Sequence, residues 1–233
     1  MSRAFNVAES IASKWYFIKT NMVASKGFTL RYLRYRILRS FLAIYNGLLN
    51  SPNRSRKPWL TPASIRILDK CLDPNGIGLE YGSGRSTRFF ASRLRKLISI
   101  EHSPEWYDIV SSQLQQEGVE NTEFILISGI PSEPKKIKAR RNKQDFDEEN
   151  IHYLPYYEKV NETDDLTFDF ILIDGRARVE CSRRAIQKLK SKGIFVLDNS
   201  ERKRYKPIHE MLSGWQKVHT STGLCDTTFW FKP

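Results

Sequence analysis

The residue types best suited to chemistry fall in two places. The first is Leu79-Glu80-Tyr81-Gly82-Ser83-Gly84-Arg85-Ser86-Thr87, followed 21 residues after Glu80 by a second acid, Glu101. A glycine-rich turn between a strand and a helix lets backbone approach a ligand closely. A dinucleotide fingerprint would ask for a third glycine where Thr87 stands, and for no charge at the end of the strand. The carboxylate of Glu80 disfavours a pyrophosphate and suits a cationic amino-acid group. An acid at Glu101, closing the next strand, can accept hydrogen bonds from both hydroxyls of a ribose. The second place is Ile173-Asp174-Gly175-Arg176-Ala177-Arg178 together with Val196-Leu197-Asp198-Asn199-Ser200. Asp174, Asp198 and Asn199 offer three oxygens, a set that suits a hard cation such as Mg²⁺. Such a metal would lower the pKa of a bound hydroxyl and orient it. The same residues also read as a helix cap and a turn. Arg176 and Arg178 at that rim suit a carboxylate or phosphate on a substrate, or form a solvated charge pair at a helix start.

These residues need a scaffold, and the hydropathy pattern supplies one. Strands are expected at Ile77–Tyr81, Leu97–Ile100, Phe124–Ile127, Phe168–Ile173, Gly193–Leu197, Gln216–His219 and Thr227–Phe231. Helices are expected at Ser86–Leu94 and Val179–Lys190, and around Tyr153–Val160. Thr61-Pro62 and Ser103-Pro104 each give a capping hydroxyl followed by proline at the first helical position. The Ser103 helix should turn Trp106, Ile109, Val110 and Leu114 to the core and stop at Gly118. Strands alternating with helices imply a mostly parallel sheet with helices on both faces and a final antiparallel strand. The carboxyl ends of neighbouring strands in such a sheet converge on a ligand crevice, which would gather the two stretches. Tyr153, Tyr156 and Tyr157 lie before the fourth strand and read either as substrate contacts or as a helix packed on the sheet.

The chain divides at 1–58, a helical arm and linker, and 59–233, the α/β domain. Of the net charge of +12, residues 1–60 hold +10: eleven Lys/Arg against Glu9. Leu30, Leu33, Ile37, Phe41, Ile44 and Leu48 lie on one helical stripe within that arm. A basic amphipathic arm suits an anionic membrane surface, or packing on the domain or on a second copy in a homo-oligomer. The basic character therefore belongs to the arm, which speaks against nucleic-acid binding by the domain. Cys71, Cys181 and Cys225 form neither a zinc pattern nor a disulfide framework. No signal peptide or membrane-spanning run is apparent, so a cytoplasmic protein is expected.

The E-x-G-x-G pattern of Glu80, Gly82 and Gly84 resembles motif I of class I methyltransferases, over roughly residues 60–233. The resemblance implies a Rossmann-like domain that binds S-adenosylmethionine, which carries an ammonium and a sulfonium. Glu80 would face the ammonium, while Gly82, Ser83, Gly84 and Thr87 would form the turn beneath the cofactor. Glu101 would hold the ribose and His102 would flank the adenine. The acid that the family often has after the third strand is replaced by Ser128-Gly129, so Ser128 or a main-chain oxygen would meet the adenine amine. The Asp-Pro-Pro-aromatic signature of nucleobase amino-methyltransferases is missing at Asp174, as is a Pro-Cys nucleophile. The Asp174…Asp198-Asn199 arrangement resembles metal-dependent O-methyltransferases. It implies methyl transfer to a hydroxyl of a small molecule, sugar or glycan, with Asp174, Asp198 and Arg176 at the reacting centre. Two other readings stand beside it: a non-catalytic membrane-surface or acidic-partner binding protein that keeps the fold, and an NAD-dependent oxidoreductase, which Glu80 and Thr87 disfavour.

Overall fold

In the computed structural model the described residues are 2–14, 37, 41, 58–130, 151–221 and 225–233. Seven strands form one sheet: β1 (Ile77–Tyr81), β2 (Lys96–Glu101), β3 (Thr122–Leu126), β4 (Phe168–Ile173), β5 (Leu189–Asp198), β6 (Gln216–Ser221) and β7 (Asp226–Phe231). Their spatial order is β3-β2-β1-β4-β5-β7-β6. The pairs from β3 to β5 are parallel, and β7 runs antiparallel to both β5 and β6. The strand order reverses between β1 and β4, and the turns that follow those two strands are the ones singled out in the sequence.

Period-two alternation divides the apolar residues between the two sheet faces. Leu79, Tyr81, Ile171, Ile173, Phe195, Leu197 and Trp230 enter one core, with Tyr156, Ala185 and Ile208 from the helices above it. Phe170, Leu172, Ile194, Val196, Phe229 and Phe231 enter the other, with Ile67, Leu68 and Phe90. The helices are α1 (Arg3–Lys14), α2 (Pro62–Cys71), α3 (Arg85–Ala91), α4 (Pro104–Gln116), α5 (Leu154–Glu158), α6 (Arg178–Lys188) and α7 (Lys206–Met211). Thr61 caps α2 by accepting from the Ser64 N–H at 3.1 Å, and Ser103 caps α4. The Thr61, Ser64 and Thr220 hydroxyls lie 2.6–2.7 Å from one another and tie α2 to β6. Gly118, at φ +63°, ends the α4 segment as expected.

Three details differ from the sequence reading. The helix α6 ends at Lys188, because Leu189 already pairs with Phe168 as the first residue of a longer β5. On α4 only Val110 and Leu114 are buried, whereas Ile109 is 46% exposed. Trp106 leans toward the helix start, as helical side chains do, and its Nε1–H donates to the Ser83 carbonyl at the turn after β1.

The described part of the arm belongs to the packed domain. α1 lies against α2 and β6, with Phe5 and Ala8 buried and the Phe5 ring edge-on to Phe231 at 5.6 Å. Of the apolar stripe further on, Ile37 and Phe41 are exposed, and its other residues lie outside the described ones. Among the described residues no helix is long and apolar enough to cross a membrane.

The turns after β1 and β4 touch backbone to backbone. Gly82 has φ +91°, and a Cβ there would sit 2.5 Å from the Cα and N of Gly175. Two predictions follow from this packing. Gly82→Ala should lower the unfolding free energy by at least about 2 kcal/mol, since it meets both a positive φ and a backbone clash. Phe5→Ala should lower it by about 3 kcal/mol, the usual loss for a buried ring. Denaturant midpoints read both, and an unchanged midpoint for Phe5→Ala would place α1 outside the cooperative unit.

Candidate functional site

The turn after β1 is organised around a buried carboxylate. Glu80 is fully buried. Its Oε2 accepts from the Ser99 hydroxyl at 2.6 Å and from the Thr87 hydroxyl at 2.7 Å. Thr87 Oγ1 in turn accepts from the Gly84 N–H at 2.9 Å, and the Ser83 and Ser99 hydroxyls are 2.8 Å apart. This chain of donors sets the conformation of residues 82–84 before any ligand arrives. Glu80 Oε1 has no hydrogen-bond partner among the described residues. Burial pushes the Glu80 pKa up to about 7, against the hydroxyls of Ser86, Ser99 and Thr87, and the nearby Asp174 charge adds to the rise.

Glu101, at the end of β2, is 2% exposed and in the opposite electrostatic state. Its Oε2 accepts from the Ser83 N–H at 2.7 Å, and its Oε1 from the N–H groups of His102 at 2.9 Å and Ser103 at 2.8 Å. The His102 Nδ1 lies 2.8 Å from the same Oε1. Burial alone would raise the Glu101 pKa, but the contacts with His102, Ser103 and Ser83 outweigh it and hold the group below its ordinary value. Glu101 is therefore ionised at neutral pH. With one N–H on Oε2, that oxygen retains acceptor capacity.

Across the crevice, Arg178 joins the ends of β4 and β5. This residue is 8% exposed. Its guanidinium donates to Asp174 Oδ1 at 2.6 Å, to the Asp174 carbonyl, to the Gly175 carbonyl at 3.0 Å and to the Asp198 carbonyl at 2.5 Å. The Tyr205 ring lies 5.5 Å from its Cζ. Asp198 is buried and accepts from the Thr227 hydroxyl at 2.7 Å. Burial and the Asp174 charge push its pKa up to about 7, against Arg178. Burial also raises the Asp174 pKa, with Arg178 opposing. Asn199 takes a left-handed φ of +50°, and its Oδ1 accepts from Arg202 at 2.7 Å.

This geometry corrects the metal expectation. Asp174, Asp198 and Asn199 are engaged separately, by Arg178, Thr227 and Arg202, and a guanidinium already supplies positive charge between the two strand ends. No group of three His, Cys, Asp or Glu that could hold a metal ion forms among the described residues. The three residues do not fit a resident Mg²⁺.

A cavity of about 480 Å³ opens where these turns meet. Of the residues expected there, Gly82, Ser83, Gly84, Glu101, His102, Asp174 and Arg176 line it. Glu80 and Thr87 are turned behind the turn instead of lining it, because each satisfies the other. Asp198 and Asn199 lie behind Arg178 and Arg202, and Ser128 is exposed on the loop after β3, outside the wall. Tyr156 and Tyr157 are buried in the core, so of the two readings for this segment the packed helix holds for them. Tyr153 and Tyr156 both set ring edges against His102, at 5.4 and 5.7 Å.

The wall also contains residues the sequence reading did not single out for it: Trp59, Arg85, Trp106, Arg202, Arg204 and Tyr205. The signal for three of them was present. Glu201-Arg202-Lys203-Arg204-Tyr205 leaves the carboxyl end of β5, where this topology builds its crevice.

No family model matches the chain, and no curated protein matches it by sequence. Solved structures do match. A methyltransferase from Geobacter sulfurreducens aligns with a TM-score of 0.52 and 12% identity over 84% of this chain and 89% of that one. A tRNA methyltransferase from Aquifex aeolicus aligns at 0.51 and 11%, over 80% and 74%. A methyltransferase-like protein from Silicibacter pomeroyi aligns at 0.50 and 19%, over 77% and 91%. At such identities the likeness is one of architecture. The chain has the Rossmann-like fold of S-adenosylmethionine-dependent methyltransferases, with its antiparallel last strand.

Proposed function

We propose that this protein is an S-adenosylmethionine-dependent methyltransferase acting on a hydroxyl of a small molecule, sugar or glycan. The observation that carries the reading is the ionised Glu101, held at the lip of the cavity by three backbone N–H groups and next to the Gly82–Gly84 turn. The free acceptor capacity of its Oε2 suits a ribose hydroxyl. The unpartnered Oε1 of Glu80 lies beneath the same turn and favours an ammonium nearby, since a positive charge would offset the burial that holds this acid at about pH 7. His102, braced by Tyr153 and Tyr156, suits an adenine edge. Gly82 and Gly84 keep the turn low enough for a ligand to lie across it.

When bound, S-adenosylmethionine supplies an electrophilic methyl group on a sulfonium. The residues of the chain then have to align an acceptor oxygen and take its proton. A neutral hydroxyl is a weak nucleophile near pH 7 and needs a base. Among the described lining residues only Glu101 and Asp174 are carboxylates, and Glu101 is enclosed by N–H donors. Asp174 is therefore the base: it accepts the hydroxyl proton as the oxygen–methyl bond forms and the sulfur keeps the electron pair. Its raised pKa makes it a stronger base than an ordinary aspartate, and Arg178 holds Oδ1 so that the carboxylate stays fixed. Asp198 acts through this unit as a positioning residue, beneath Arg178.

Two outcomes test the reading. Glu101→Ala should weaken binding of S-adenosylhomocysteine by about 1.5–3 kcal/mol or more, as one charge-assisted contact and the loop it holds are lost. Calorimetry reads this, and binding of NAD in place of S-adenosylhomocysteine would overturn the cofactor assignment. With labelled cofactor and an acceptor found by screening, turnover should fall on acidification through a pKa above that of an ordinary aspartate. The base works only when ionised, and burial moves that midpoint upward. Asp174→Asn should abolish the limb and lower kcat by roughly 10²-fold or more. Methylation on nitrogen, or full turnover by Asp174→Asn, would overturn the oxygen-transfer assignment.

A further inference from the structure

The cavity wall carries more positive charge than the proposed cofactor explains. Among the described residues five arginines and two acids line it. Arg178 is committed to Asp174 and to three main-chain carbonyls, so it is part of the frame. The other four, Arg85, Arg176, Arg202 and Arg204, come from three separate segments: the start of α3, the turn after β4 and the segment after β5. S-adenosylmethionine, with an ammonium, a sulfonium and one carboxylate, adds a net positive charge to this wall. A co-substrate entering beside it is favoured by that field if it is an anion.

The arginines are also held in place. The Arg85 Cζ lies 4.9 Å from the Trp59 ring centre and the Arg204 Cζ 5.0 Å from that of Tyr205. The Tyr205 ring leaves in-plane N–H edges of the Arg204 guanidinium for acceptors. Arg202 is braced by Asn199 Oδ1 at 2.7 Å and by the Glu201 carboxylate, 3.8 Å from its Nε. Arg204 Nε is buried and has no hydrogen-bond partner among the described residues. Arg176 is exposed at the rim.

We propose that Arg176, Arg202 and Arg204 form the acceptor site and select a small acceptor bearing a phosphate group. The proposal rests on the methyltransferase reading above. A phosphate presents several oxygens and up to two negative charges, enough to engage more than one guanidinium fork. A carboxylate presents two oxygens and one charge. A polynucleotide would call for a basic track over the surface. Residues 61–233 carry only +2 in total, which gives the domain no net basic surface of that kind.

Calorimetric titration of the full chain with inorganic phosphate, at constant ionic strength and with saturating S-adenosylhomocysteine, tests the site. Saturable binding is expected, weakened roughly tenfold or more in R202Q/R204Q, the loss equivalent to one charge-assisted hydrogen bond. Lys203 is exposed between the two arginines and is not part of the wall, so K203Q should change binding by less than about twofold. R204K, which keeps the charge and loses the fork, should fall between the wild type and the double variant. Affinity for S-adenosylhomocysteine should stay within about twofold in all variants, which also shows that they fold. Non-saturable phosphate binding, or equal losses in K203Q and R202Q/R204Q, overturns the site while the cofactor reading stands. Failure of the wild type to bind S-adenosylhomocysteine overturns the cofactor reading, and the placement of the anion beside a methyl donor falls with it. Displacement of phosphate by a single-stranded RNA oligonucleotide at far lower concentration overturns the small acceptor in favour of a polynucleotide.

Discussion

The site depends on one buried guanidinium. Arg178 reaches from the first residue of α6 to the ends of both β4 and β5 and donates to a carboxylate and three main-chain carbonyls. Those carbonyls close two central strands beside a cavity, where unmet acceptors would be expensive. Arginine is the one side chain with enough donors, in a fixed fork, to serve them together. Lysine would carry the charge and miss the geometry. Because Arg178 is fixed, Asp174 has one face toward the cavity and one face held, and Asp198 can stay buried below.

Two glutamates at the ends of adjacent strands show how local donors separate chemically identical groups. Glu80 and Glu101 are both nearly inaccessible. Glu80 meets side-chain hydroxyls through one oxygen, and burial prevails. Glu101 meets three backbone N–H groups, and the hydrogen bonds prevail. The consequence is one acid poised near neutrality behind the turn and one firmly ionised at its lip, which suits a ligand with a cationic end and a neutral polyhydroxyl end.

Most of the scaffold could be read from the sequence, because the signals there are local. The short apolar runs in Phe168–Ile173 and Thr227–Phe231, and the hydroxyl–proline starts at Thr61 and Ser103, depend on nearest neighbours alone. The glycine turn and Glu101 were equally legible, since strand ends in this topology meet at one crevice. What could not be read was which way a side chain turns once neighbours compete for it. Thr87 and Glu80 face each other instead of the cavity. Trp106 leaves the core for the Ser83 carbonyl. Arg178, an ordinary charge at a helix start in one dimension, becomes the internal cation of a site that resembled a metal centre in sequence. Asp174, Asp198 and Asn199 were correctly placed at neighbouring strand ends, but their donors to one another's surroundings were invisible.

The position of β7 has a consequence for how the chain acquires its structure. β7 lies between β5 and β6, and Phe5 of α1 rests on Phe231. In the order of synthesis, β6 emerges with no sheet neighbour, and α1, made before everything else described, waits through the whole domain for the ring it packs against. Contacts of such sequence separation form late and slowly. During elongation the β5 edge stands open, with Ile194 and Val196 lacking the apolar partners that β7 later brings, a state in which sheets are prone to pair with the wrong chain. The basic residues of α1 and its flanks precede that vulnerable edge, so a nascent chain is already positively charged, and self-repelling, by the time the edge is exposed.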